Sequence, residues 1–175
     1  MTQDSSGRLI GRRMPTTALT TTDGDRVDLS DPALGAFALF IYPRTGDPNK
    51  PDDASWAAIP GAKGCTVEAC AIRDLYSAFR ELGLGVYGLS TQSTEYQSEA
   101  VERLHLPYPI LSDPSLALRR LGLDTFRFDG EELYTRVTLL VAGGSVVDVV
   151  WPTSNTIAHV SDVLASARSA YGSAG

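Results

Sequence analysis

The chain has 175 residues, 43% hydrophobic and 21% charged, with a formal net charge of −6. That size suits one domain, residues 1–175, with a sizeable core. The acid excess and the lack of any Lys/Arg run argue against nucleic-acid and anionic-membrane binding, since "GRRMP" and "LRRLG" are isolated basic pairs.

Residues 1–7 are polar and expected to be mobile. "TALTTTDGDRVDLSD" (17–31) reads as an N-terminal hairpin around Asp23-Gly24. "AFALFIYP" (36–43) is a nearly continuous apolar run ending at Pro43, the pattern of a buried strand. Residues 44–64 follow as a long loop with Pro48, Pro51, Pro60, Gly46, Gly61 and Gly64, and loops of that length tend to be functional or disordered. A helix comes next, with an apolar stripe at Val67, Ala71, Leu75, Ala78 and Leu82 and a stop at Gly83. "LGVYGLS" (84–90) is a strand, and "STEYQSEAVERLH" (93–105) is a second helix with Ser93 as its N-cap. "YPILSD" (108–113) is a short strand and "SLALRRLG" (115–122) a third helix. "YTRVTLLVAGGSVVDVVW" (134–151) is a hairpin around Gly143-Gly144, and residues 155–172 form a closing amphipathic helix.

This order gives parallel strands with right-handed crossovers, then an antiparallel hairpin. The expected class is α/β: a thioredoxin-like three-layer fold, with a mixed sheet flanked by helices and an N-terminal hairpin. The apolar stretches, such as "ALFIY" (38–42), are far below spanning length. The first residues lack the apolar run of a secretory signal. A cytoplasmic location is therefore expected, and there a disulfide is more often transient than structural.

The chain holds two cysteines, Cys65 and Cys70, both in "IPGAKGCTVEACAIRD" (59–74). They could be core filler, half of a metal site, a structural disulfide or a redox pair. Buried free cysteine is common. A closed zinc site needs four ligands, and the only histidines, His105 and His159, stand apart in later helices as surface or packing residues. Position favours reactivity. Pro60-Gly61 and Gly64 end the loop, so Cys65 falls at a helix start, where free N–H groups and the helix dipole stabilise a thiolate. Glu68 is a counterweight, because a carboxylate within one turn opposes ionisation unless it is directed away. On an ideal helix, Cα atoms five residues apart lie roughly 8.6 Å from each other. A disulfide needs less than about 7 Å, so oxidation would require local unwinding. Spacing alone therefore favours a redox pair over inert cysteine.

"GCTVEACAIRD" (64–74), after a strand ending "FIYP", resembles the peroxiredoxins, and among them the bacterioferritin-comigratory or Q-type group. That group reads close to P-G-C-T-x-x-A-C-x-x-R-D at this place. "GVYGLSTQSTEYQSEAVERLHLPYPILSDPSLAL" (85–118) is similar to its strand, helix and "LSD" segment, and "YTRVTLLV" (134–141) to its arginine-bearing strand. The likeness runs from about residue 15 to residue 150.

The resemblance implies a thiol peroxidase. Cys65 would be the peroxidatic cysteine and Cys70 the resolving one. Arg136 would support the thiolate and polarise the peroxide. The substrates would be hydrogen peroxide and alkyl hydroperoxides, and a thioredoxin-like donor would recycle the disulfide. It implies no metal, haem or flavin cofactor, no nucleic acid and no membrane partner. An intrachain disulfide would suffice, which favours a monomer. The family pattern has a threonine three residues and a proline seven residues before the peroxidatic cysteine, where this chain has Ala62 and Ala58. An insertion of about a dozen residues within 44–64 separates Pro43 from Cys65. Thr45 or Thr66 would then supply the hydroxyl, and Pro43 or Pro60 would shield the thiolate. Trp56, within the insertion, would either cover the site or anchor the loop, and anchoring is the favoured of the two. Two other activities fit the same cysteines: a protein-disulfide oxidoreductase, and a non-enzymatic redox sensor.

Overall fold

A computed structural model describes residues 7–47, 49–50, 53–59, 62–153 and 155–172. The expected mobile start, residues 1–6, and Pro60-Gly61 lie outside the described residues, while Gly7 is exposed. The strands are β1 (Ala18–Thr21), β2 (Arg26–Asp28), β3 (Phe37–Ile41), β4 (Gly85–Ser90), β5 (Ile110–Ser112), β6 (Thr125–Phe128), β7 (Glu131–Tyr134), β8 (Val137–Ala142) and β9 (Ser145–Val150). The helices are α1 (Ala54–Ala57), α2 (Cys65–Glu81), α3 (Thr94–Leu104) and α4 (Thr156–Tyr171). Two 3-10 segments, Pro32–Leu34 and Ala117–Leu121, are also present.

Seven strands form one sheet in the order β2-β1-β5-β4-β3-β8-β9. β3, β4 and β5 run parallel, and the other pairings are antiparallel. The central strand β3 is buried along its whole length, as its unbroken apolar run requires when both faces are covered. Alternation along it sends Ala38 and Phe40 to one face, and Phe37, Leu39 and Ile41 to the other. The first face is covered by α2 and α4, through Ile72, Phe79, Val160, Val163 and Leu164. The second carries the 3-10 residues Leu118 and Leu121, with Leu9 and Met14 from the N-terminal segment. The sheet is thus the middle of three layers, as expected for the thioredoxin-like class.

Three local expectations are corrected, and one element had not been foreseen. The third helix, 115–122, is a five-residue 3-10 segment, Ala117–Leu121. Left-handed backbone at Leu116 (φ 56) and Gly122 (φ 94) brackets it, and the Asp113 carboxylate takes the N–H groups of Ala117 and Leu118. The α2 stripe is rotated: Val67 is 48% exposed, while Cys65, Glu68, Ala69, Ile72 and Phe79 point inward. A carboxylate holds one inward position, and an apolar stripe cannot assign it. Arg136 precedes β8 rather than lying within a strand, and Tyr134 belongs to β7. Finally, β6 and β7 form a separate hairpin. Its turn is Asp129-Gly130, both with positive φ, and an Asp-Gly pair between alternating residues was the signal that could have found it.

The insertion is not featureless. Asp53 caps α1, its carboxylate accepting the Ser55 N–H. Trp56 is buried with Ala62 and Leu133, against the rings of Phe126 and Phe128 on β6. The Arg44 guanidinium stacks 4.4 Å from the Trp56 ring centre and 4.9 Å from that of Phe128. The inserted loop is thereby fastened to the β6–β7 hairpin.

Candidate active site

Cys65 is the first residue of α2. Gly64 caps that helix with φ +102, and a Cβ there would lie 2.9 Å from Thr156 Cγ2 at the start of α4. Only glycine meets both the backbone and the space. The Cys65 sulfur thus sits at a helix N-terminus, the end that favours negative charge. The residue is 6% exposed.

Arg136, the residue just before β8, reaches the sulfur. Thr138 pairs with Phe40 and Leu140 with Ala38, on the face that carries α2 and α4. The period of two places Arg136 on that same face. One of its guanidinium nitrogens donates to Cys65 Sγ at 2.9 Å and reaches the Lys63 carbonyl at 3.4 Å. The other lies 2.8 Å from Glu68 Oε2. Both side chains of this ion pair are 2% exposed. Glu68 stands three residues after Cys65, hence on the same side of α2. The counterweight foreseen in the sequence is therefore turned onto Arg136.

The charges compete at the sulfur. Burial pushes the Cys65 thiol pKa up; the Arg136 guanidinium pulls it down, Glu68 pushes it up, and the Arg44 backbone amide pulls it down. The net direction is upward. Glu68 is also raised, because burial outweighs the nearby guanidinium. In its neutral form the thiol points to the Ala62 carbonyl, 3.6 Å from the sulfur. Ala62 thus offers a backbone acceptor where the family pattern has a hydroxyl.

A cavity of about 10 Å³ adjoins Cys65, walled in part by Tyr42, Thr45, Glu68 and Tyr108. That is room for about one water-sized molecule. Of the residues proposed from sequence to bind substrate, Thr45 lines this chamber; Pro43 is buried and Thr66 half-buried, and neither lines it. The Thr45 hydroxyl donates to Gln92 Oε1 at 3.3 Å. Tyr42 and Glu68 were not read from sequence as chamber walls. Tyr42 follows β3 directly, and the alternation that turns Phe40 inward turns it inward too. Burial raises its phenol well above the ordinary range.

Cys70 is half-buried on α2, and both cysteines are free thiols. They share one unbroken helix, so their Cα atoms stand roughly 8.6 Å apart on opposite-leaning faces. No disulfide forms in this conformation. Among the described residues no group of His, Cys, Asp and Glu could hold a metal ion, and no helix is long and apolar enough to cross a membrane.

A mixed sheet that presents a cysteine at a helix N-terminus against a buried arginine defines a class of thiol-reactive proteins. The family model Redoxin matches residues 9–166, and the chain belongs to that family. A peroxiredoxin Bcp homologue from Coxiella burnetii is 28% identical over 159 residues, covering 89% of this chain and 95% of that one. Peroxiredoxin Bcp of Escherichia coli is 30% identical over 99 residues, 57% of this chain and 54% of the relative's length. The crystal structure of peroxidoxin BcpB from Mycobacterium tuberculosis superposes with a TM-score of 0.73, 27% identity, and coverage of 92% and 97% of the two chains. Within the Redoxin family this chain is a peroxiredoxin of the Bcp or Q type, a thiol-dependent peroxidase.

Proposed function

We propose that Cys65 is the peroxidatic cysteine, that Cys70 resolves it, and that hydrogen peroxide and alkyl hydroperoxides are the substrates. One observation carries this reading: the Arg136 guanidinium lies 2.9 Å from Cys65 Sγ at the N-terminus of α2. The cation and the helix end offset part of the burial that holds the thiol pKa up, and so supply the thiolate fraction that reacts, while the remaining guanidinium hydrogens can hold a peroxide oxygen. The thiolate attacks the terminal oxygen of ROOH. The O–O bond breaks, Cys65 becomes a sulfenic acid, and RO⁻ leaves to take a proton from solvent. Arg136 offsets the charge that passes from sulfur to the leaving oxygen.

The first turns of α2 then unwind, and the Cys70 thiol displaces water from the sulfenic acid to give the Cys65–Cys70 disulfide. A dithiol donor of the thioredoxin kind reduces it by exchange and is itself oxidised. No metal, haem or flavin enters this cycle. The intrachain pair needs no second copy, which fits a monomer. A cytoplasmic setting would keep the pair reduced between turnovers.

Stopped-flow peroxide reduction with thioredoxin and its reductase, on wild type and each cysteine variant, tests the scheme. Cys65→Ser abolishes peroxide consumption. Retained turnover in that variant would overturn the assignment.

A further inference from the structure

A cleft of about 620 Å³ shares Thr45 with the cysteine chamber. Its size is that of a small-molecule site, some sixty times the chamber beside Cys65. Thr45 lines both spaces. It is therefore a wall residue common to a reactive chamber that fits one small group and a larger cleft that fits an organic one.

One side chain, that of Gln92, makes most of the bonds that hold Thr45. The Thr45 N–H donates to Gln92 Oε1 at 3.0 Å, and Gln92 Nε2 donates back to the Thr45 carbonyl at 3.2 Å. The carboxamide thus grips both backbone groups of one residue, as a neighbouring strand would. The Tyr96 hydroxyl adds a 3.4 Å bond to the same carbonyl. Gln92 is itself fixed: its N–H donates to Ser90 Oγ at 3.3 Å, and its carbonyl accepts from Ser112 Oγ at 2.5 Å. A rigid clamp on a shared wall is the arrangement of a size filter.

We propose that Gln92 is a specificity-determining residue. Through its clamp on Thr45 it governs passage of the peroxide end from the larger cleft to Cys65, while the organic group of a neutral aryl or branched hydroperoxide rests in the cleft. This extends the peroxidase reading and rests on it. The aromatic side chains of Trp56, Phe128 and Tyr96 line the cleft, and the Arg44 stack on Trp56 and Phe128 holds two of them in place. Against Arg44 and Lys50 the lining sets Asp47, Asp53, Asp129 and Glu131. The acidic excess disfavours anionic hydroperoxides such as those of fatty acids.

The test compares kcat/KM for cumene hydroperoxide and for hydrogen peroxide in wild type, Gln92→Ala and Gln92→Glu. Alanine removes both backbone clamp bonds and the Thr45 hydroxyl bond. Glutamate keeps the length and the acceptor but loses the donor to the Thr45 carbonyl. Each variant raises the cumene-to-hydrogen-peroxide ratio, by about fivefold for each net hydrogen bond lost. Amide exchange at Thr45, read by NMR, accelerates in both variants. An unchanged ratio alongside faster Thr45 exchange overturns the proposal, because the wall would then be loose without consequence. So does a ratio unchanged with Thr45 still protected, because Gln92 would then not hold the wall. A separate titration with cumyl alcohol, the reduced product, moves the Trp56 indole resonance in wild type; no movement overturns the cleft as the organic subsite. Absence of peroxide turnover in wild type would instead remove the peroxidase reading, and the alcohol titration would still decide the cleft.

Discussion

His159 is completely buried on α4, and its Nε2 lies 2.8 Å from Thr138 Oγ1, two residues along the chain from Arg136. Its pKa is lowered from 6.5 to about 4, first by burial and then by the Arg136 cation, against an opposing pull from the Trp151 backbone and Asp162. The folded protein therefore keeps a neutral imidazole where the unfolded chain takes up a proton. Between pH 6.5 and about 4 the unfolded state binds more protons, so stability falls as pH falls through that window and is flat on either side. The shift corresponds to about 3 kcal/mol in full, of which about 2 kcal/mol is lost between pH 7.5 and pH 5. His159→Gln keeps a partner for Thr138 but cannot titrate. Urea unfolding of both proteins across pH 7.5 to 5 should show the wild-type curve falling more steeply, by that difference. Parallel curves would refute the reasoning, since they would mean that His159 takes up its proton as readily folded as unfolded.

Arg136→Met should raise the Cys65 pKa and, by stranding Glu68, cost about 3–5 kcal/mol of stability. Glu68→Gln should lower the Cys65 pKa, since the carboxylate pushes it up; ultraviolet thiolate absorbance against pH reads both shifts. Gly64→Ala should destabilise by about 1–2 kcal/mol from the left-handed backbone alone, plus the clash with Thr156. Thr156→Ala in that background should recover the steric part only, so strictly additive unfolding free energies would contradict the contact. Cys70→Ser should keep the peroxide reaction and accumulate Cys65 sulfenic acid, detectable by dimedone trapping; unchanged donor-coupled turnover with no sulfenic acid accumulating would exclude Cys70 as the resolving thiol.

What could be read from the sequence was local. The continuous apolar run at β3, the Ser93 cap on α3, the glycine turn between β8 and β9 and the cysteine at a helix start each depend on neighbours in the chain. The likeness of residues 64–74 and 134–141 to the peroxiredoxins supplied the partner for Cys65 by analogy, since nothing in spacing links residues 65 and 136. Tertiary structure decided the rest. The pairing of β3 with β8, almost a hundred residues later in the chain, brings Arg136 against Cys65 and turns Glu68 inward, where an apolar stripe would exclude it. It also settled which candidate hydroxyl faces the chamber. Thr45 and Thr66 are equivalent by type, but Thr45 is pinned by Gln92 from another strand end and Thr66 is not at the wall. A sequence states which groups are available to the chemistry; the long-range sheet register states which of them meet, because only a closed, desolvated chamber makes a cation, a carboxylate and a thiol act on one another strongly.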